Sequence, residues 1–233
     1  MTARAHRLPI AGGALALALH LPERAPAPFV VACHGLGSSK ESEKLQMLGD
    51  VLPAAGIALA RFDFRGCGES SGVEEETTIA SRIEDVETVL AFLAAHPAFD
   101  GRFGLLGSSL GGFVVLHVAA RRPGVPVVTW NAPASLTELA NDDIPEGRGL
   151  GVPFALEYAT GRYALAPAGL PRHLVIHGEA DDVVALEHGI ALHEQAIEPF
   201  ELVLIPDADH RLTNPTHRAQ AIAVTQNWFT RWL

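Results

Sequence analysis

The sequence predicts a single α/β domain over residues 1–233, built on a mostly parallel, doubly wound sheet of about eight strands with a short lid insertion at about residues 134–171. Three observations carry this. Short apolar runs bounded by Pro or Gly recur along the chain, segments of helical period lie between them, and a Gly-x-Ser-x-Gly pattern sits where one run gives way to a helix.

At the start of the chain, Pro9, the Gly12-Gly13 pair and His20-Leu21-Pro22-Glu23 read as two short strands around a tight turn. The competing reading is a leader peptide, with Arg4, His6 and Arg7 ahead of the apolar Ile10–Leu19 run and Ala25-Pro26-Ala27 as a poor cleavage site. Such cleavage would remove the edge of the sheet, so the hairpin is preferred. Six further runs read as strands: Phe29–Cys33, Ile57–Phe62, Phe103–Leu106, Val127–Trp130, Leu174–Ile176 and Leu202–Ile205. Their unbroken apolar character suits strands buried on both faces. Between them, Leu45, Leu48, Val51 and Leu52 form one helical face, and Ile79, Ile83, Val86, Leu90 and Leu93 form another that ends at His96-Pro97. Helices are also expected at Gly111–Arg121, Val184–Ala196 and Pro215–Leu233. Strand and helix therefore alternate, except in the insertion. That stretch is rich in Gly, Pro and Ala, carries Asp142-Asp143, and offers one helix around Phe154–Thr160. A connection of that length inside a compact domain points to a functional element, here a lid.

Composition narrows the partners. With 48% hydrophobic against 19% charged residues, the chain can bury a sizeable core. The net charge of −10, with no basic run longer than Arg121-Arg122, argues against a nucleic-acid groove or an anionic membrane surface. No stretch approaches the roughly 20 apolar residues that span a bilayer. Two cysteines, Cys33 and Cys67, are too few for a disulfide framework, so a reducing, cytoplasmic compartment is expected. Neither cysteine belongs to a metal-ligand spacing, and there is no HExxH and no GxGxxG after the first core strand, so no metal and no cofactor is expected. The partner is then a small molecule; a monomer and a homodimer both fit.

The chemistry centres on Leu105-Leu106-Gly107-Ser108-Ser109-Leu110-Gly111-Gly112. A sharp strand-to-helix turn lifts the central side chain above the sheet, with glycines on either side letting backbones pass closely. Ser109 would stand at a helix N-terminus, where developing negative charge is favoured. A hydroxyl is a weak nucleophile and needs a base, and the base needs a partner to hold its tautomer. Of eleven histidines, His210 is the best placed, in the loop Pro206–Leu212 after the last strand. The acid should follow the preceding strand, in His177-Gly178-Glu179-Ala180-Asp181-Asp182. On chemistry alone Asp181 and Asp182 stay open, with Glu179 a distant third. Oxyanion donors are expected from the backbone N–H of Leu110 and from that of Leu36, in the loop His34-Gly35-Leu36-Gly37-Ser38-Ser39-Lys40-Glu41.

These motifs, with Arg61-Phe62-Asp63-Phe64-Arg65-Gly66-Cys67-Gly68-Glu69-Ser70 and Ala208-Asp209-His210, resemble the α/β-hydrolase superfamily, in the branch of small serine esterases, feruloyl-esterase-like and monoacylglycerol-lipase-like enzymes. The resemblance runs from about residue 10 to the C-terminus. It implies the triad Ser109, Asp181 and His210, favouring Asp181 by its spacing from His177, and it implies a structural turn at Arg65–Ser70. The expected activity is hydrolysis of carboxylic esters through an acyl-enzyme, with a peptidase, a thioesterase or a non-catalytic binding protein of the same fold as alternatives. Trp130, Phe154, Tyr158 and Tyr163 are candidate walls for the acyl group. With no Arg or Lys cluster evident beside the site, the substrate is expected to be an uncharged short to medium acyl or aryl-acyl ester.

Overall fold

The computed structural model describes residues 3–137 and 150–233. The strands are β1 Arg4–Ile10, β2 Gly13–His20, β3 Ala27–Cys33, β4 Ala58–Phe62, β5 Phe99–Ser108, β6 Val127–Trp130, β7 His173–Gly178 and β8 Phe200–Ile205. The helices are α1 Glu43–Ala54, α2 Ile79–Ala94, α3 Leu110–Ala119, α4 Val152–Ala159, α5 Leu186–Glu194 and α6 Pro215–Trp232. The strands form one sheet in the order β1-β2-β4-β3-β5-β6-β7-β8.

The chain enters through an antiparallel hairpin, β1 with β2, whose register closes at Ile10 opposite Gly13. β2 pairs antiparallel with β4, and from β4 across to β8 every pairing is parallel. β3 is buried at all seven residues, as its continuous apolar run demands. β8, at the edge of the sheet, is mostly half-buried. Two apolar cores flank the sheet. One packs α2 and α3 against Phe29, Val31 and Leu105. The other packs α1 and α6 against Val30, Leu106, Val128 and Trp130. Because β3 leads into a helix on one face and β5 into a helix on the other, a crevice opens between them at the C-terminal ends of the parallel strands. Among the described residues, no helix is long and apolar enough to cross a membrane.

The two ends of the insertion are tied together. Ser135 pairs with Leu165 in an antiparallel bridge, and the Ala166 N–H donates to the Ala134 carbonyl at 2.8 Å. Residues 138–149, including Asp142-Asp143, lie outside the described residues. The segment from Leu150 onward carries α4, which docks on the start of α2. The Glu157 carboxylate accepts from the Ile79 and Ala80 N–H groups at 2.6 and 3.0 Å. A carboxylate there satisfies two otherwise unpaired donors and sits at the positive end of the helix dipole. Glu157→Ala is expected to lower the unfolding free energy by about 1 kcal/mol. Urea denaturation checks this, and an unchanged midpoint would mean that α4 does not cap α2.

Candidate active site

Four loops meet at the C-terminal edge, after β3, β5, β7 and β8. Ser109 ends the β5 loop in a backbone conformation that L-residues rarely adopt, φ 53° and ψ −127°. It is held there from several sides. Its N–H donates to the Trp130 carbonyl at 2.8 Å, tying the turn to β6. A Cβ on Gly111 would stand 2.4 Å from the His34 carbonyl oxygen and 2.5 Å from that of Cys33, so β3 and α3 cross with no room for a side chain. A Cβ on Gly35 would lie 2.9 Å from Ser109 Cβ. Both positions require glycine for close approach.

His210 reaches Ser109 from the loop after β8. Its Nε2 lies 3.0 Å from Ser109 Oγ, while Nδ1 lies 2.8 and 3.0 Å from the two Asp181 oxygens. With Nδ1–H donating to the carboxylate, Nε2 is left to accept from the hydroxyl. The Asp181 side chain is fully buried, whereas Asp182 and Glu179 are exposed. Burial pushes the Asp181 carboxyl up. The hydrogen bonds from His210, Val184 and Val183 outweigh this and hold it below the ordinary carboxylate range. The geometry therefore brings Asp181 to the imidazole and leaves Asp182 in solvent. Such a relay can draw a proton from Ser109 Oγ and stabilise the imidazolium that results.

Other histidines near this edge are tied down as neutral groups. His34 Nδ1–H donates to the Gly35 carbonyl at 2.8 Å and its Nε2 accepts from the Phe64 N–H at 3.1 Å, with burial drawing it down to about 4. It shapes the loop that carries Leu36. His177 Nε2–H donates to the Val184 carbonyl at 2.9 Å, and burial lowers its pKa. Cys33 and Cys67 are buried, and burial pushes the Cys67 thiol up to about 12, so neither supplies a thiolate.

Ser109 and His210 open onto a cavity of about 580 Å³, whose lining includes Leu36, Leu110, Lys44, His188 and Arg211. The four aromatic residues expected as acyl-group walls do not line it. Trp130 faces the opposite side of the sheet, where its indole N–H donates to Thr225 Oγ1 on α6 at 2.9 Å. Phe154 and Tyr163 are buried in the core on the α2–α3 side, Tyr163 edge-on to His117. Tyr158 packs on the same core and donates through its hydroxyl to Thr137 Oγ1 at 3.2 Å. They anchor the insertion instead. The expectation of a site without cations is also corrected, because the fold brings Lys44, Arg211 and Arg218 to the cavity from distant parts of the sequence. Among the described residues, no group of His, Cys, Asp or Glu side chains converges as a metal set.

One positioning residue was absent from the sequence reading. Asn131 follows β6 with φ 50°, and its Oδ1 accepts from the Gly178 N–H at 2.9 Å. Its Nδ2 donates to the His210 carbonyl at 2.7 Å. A single amide thus links the loop bearing Asp181 to the loop bearing His210. Its signal was a polar side chain directly after a fully buried strand. Asn131→Ala leaves those buried groups unpaired and is expected to cost about 1–3 kcal/mol of stability. Chemical denaturation reads this directly, and a loss within error of zero would remove Asn131 from the account.

Residues 24–147 match the family described as "Serine aminopeptidase, S33". Over 163 residues the chain is 32% identical to the uncharacterized protein YfhR of Escherichia coli, a match that covers 68% of this chain and 55% of that protein. The chain thus spans only about half the length of this curated relative. It is similar in structure to the esterase domain of a Rhodothermus marinus protein, at 27% identity and TM-score 0.77, covering 100% of this chain and 99% of that one. It also resembles Est1E of Butyrivibrio proteoclasticus, solved with ferulic acid bound. That pair shares 20% identity at TM-score 0.86, covers 98% of this chain and 99% of that one, and shows the fold alone. With the eight-stranded sheet and the turn at Ser109 in hand, the family match makes the chain a member of the α/β-hydrolase superfamily, in its serine aminopeptidase family.

Proposed function

We propose that the chain is a serine hydrolase that cleaves carboxylic esters through an acyl-enzyme. The observation that carries this is the continuous relay from Asp181 through His210 to Ser109, with 2.8 Å and 3.0 Å contacts, opening on a cavity whose lining includes Leu36 and Leu110. In this reading Ser109 Oγ attacks the substrate carbonyl while His210 Nε2 takes its proton, and the Leu36 and Leu110 N–H groups hold the oxyanion. His210 then protonates the leaving alcohol as the tetrahedral intermediate collapses. Water, activated by the same imidazole, attacks the acyl-enzyme and releases the acid. Asp181 keeps the proton on Nδ1 and stabilises the imidazolium. The insertion at about 134–171 acts as the lid, and the cysteines suit a reducing, cytoplasmic setting.

The same relay serves amides and thioesters, so the choice of ester rests on further support. The Rhodothermus marinus esterase domain matches across the whole chain. An aminopeptidase must also hold a free ammonium terminus, for which a carboxylate is a strong partner. Glu43 is the one carboxylate among the described cavity-lining residues, and Arg218 occupies it at 2.7 Å.

Ser109→Ala is expected to lower kcat on p-nitrophenyl butyrate by at least about 10⁴-fold and to end labelling by a fluorophosphonate probe. Labelling that persists at another residue in Ser109→Ala would overturn the assignment. Asp181→Asn should reduce kcat by roughly 10⁴-fold, since the amide favours the wrong imidazole tautomer, while Asp182→Asn stays within a few-fold of wild type. Steady-state kinetics on the two variants separate these outcomes.

A further inference from the structure

Among the described residues, cations outnumber anions in the lining of the cavity. Against a net charge of −10, its described lining presents Lys44, Arg211 and Arg218 with only Glu43 in opposition. Arg218 is committed through its two terminal nitrogens, which donate to Glu43 and to the Leu212 and Thr213 carbonyls, while its buried Nε has no described partner. Asp181 is held by His210, and Asp209 accepts from the Thr213 N–H. Lys44 has a different environment. Among the described residues its ammonium donates to Ser108 Oγ at 2.7 Å, a neutral hydroxyl, and no described carboxylate pairs with it. Arg211 stands exposed at the rim, also without a described acidic partner.

Lys44 is costly where it stands. It lies in the first turn of α1, at the positive end of the helix dipole, where a cation is disfavoured. Burial draws its ammonium down to about 8, so it is still largely charged at neutral pH. Beside it Ser42, the residue before α1, keeps a buried hydroxyl that caps nothing and has no described hydrogen-bond partner, although it too lines the cavity. A half-buried cation that Asp181 and Asp209 reach only at longer range, and that no described carboxylate touches, shares one wall with a hydroxyl that has no described partner, and through Ser108 that wall adjoins Ser109. This is the donor set that an incoming anion would complete.

Building on the serine-ester-hydrolase reading above, we propose that the substrate is an ester bearing a carboxylate, received by Lys44 and Ser42 with Arg211 at the rim. Anchored there, the carboxylate would hold the ester carbonyl beside Ser109 and bring it onto the Leu36 and Leu110 N–H groups.

Two pairs of esters, equal in length within each pair, test this on the acyl and the alcohol side. One compares the p-nitrophenyl monoester of adipic acid with p-nitrophenyl hexanoate; the other compares meta-carboxyphenyl with meta-carbamoylphenyl butyrate. Wild type is expected to favour the anionic member of at least one pair by about tenfold or more in kcat/KM. Lys44→Met should bring that ratio towards one, and Lys44→Arg should restore it. Arg211→Gln, at an exposed position, should lower the ratio about threefold and keeps the comparison available if Lys44→Met does not fold. Ratios near one in both wild-type pairs, or a ratio unmoved by Lys44→Met, would overturn the proposal while leaving ester hydrolysis intact. Turnover of all four esters that survives Ser109→Ala would instead remove the serine-hydrolase reading and this inference with it.

Discussion

The geometry of this protein depends on one backbone crossing. Where β3 ends at Cys33 and α3 begins at Leu110, main chains run so close that a single methyl on Gly111 would collide with two carbonyl oxygens. That crossing fixes the approach of the β3 loop to the β5 turn and holds Ser109 in a conformation costing of order 1–3 kcal/mol by itself. The strain is tolerated because the surroundings over-determine it: a hydrogen bond to Trp130 on one side, Gly35 packed against the Ser109 Cβ on another, and a helix started immediately after.

The rest of the site is arranged around that point by parallel topology. Because β3, β5, β7 and β8 run the same way, the loops that follow them emerge at one edge, and residues separated by a hundred positions meet. Each loop is then fastened by buried polar contacts. Asn131 links the Asp181 and His210 loops. His34 closes on Phe64, and Asp63 receives the Lys40 backbone N–H and ammonium, binding the loop that carries Leu36 to the turn after β4. Burying Asp63 and Lys40 is tolerable because they are paired and multiply hydrogen-bonded. Asp63, which the sequence presents only as part of a motif, works as a fastener of the site's frame.

Much of this was legible in the sequence because it is local. Unbroken apolar runs marked the buried strands, and the Gly-x-Ser-x-Gly spacing marked the turn at Ser109. Chain order along parallel strands pointed to the loops holding Asp181 and His210. What the sequence hid depends on which way a side chain points in three dimensions. Trp130 ends β6 in step with Val128, so strand alternation sends it to the α6 side, away from the cavity. Asp181 and Asp182 are chemically equal as letters; the resemblance favoured Asp181 by its spacing from His177, and the turn that buries this carboxylate against His210 supplies the physical reason. Lys44, Arg211 and Arg218 form no cluster along the chain, and α1 and the loop after β8 bring them together only in the folded state.

Hydrolysis through an acyl-enzyme requires that Ser109 Oγ carry the acyl group. Rapid-quench mass spectrometry of wild-type protein mixed with p-nitrophenyl butyrate tests this most directly. The predicted result is a butyryl adduct on the peptide containing Ser109 that forms within the first turnover and disappears as substrate is exhausted. An adduct on any other residue, or sustained turnover in which Ser109 never carries one, would contradict it.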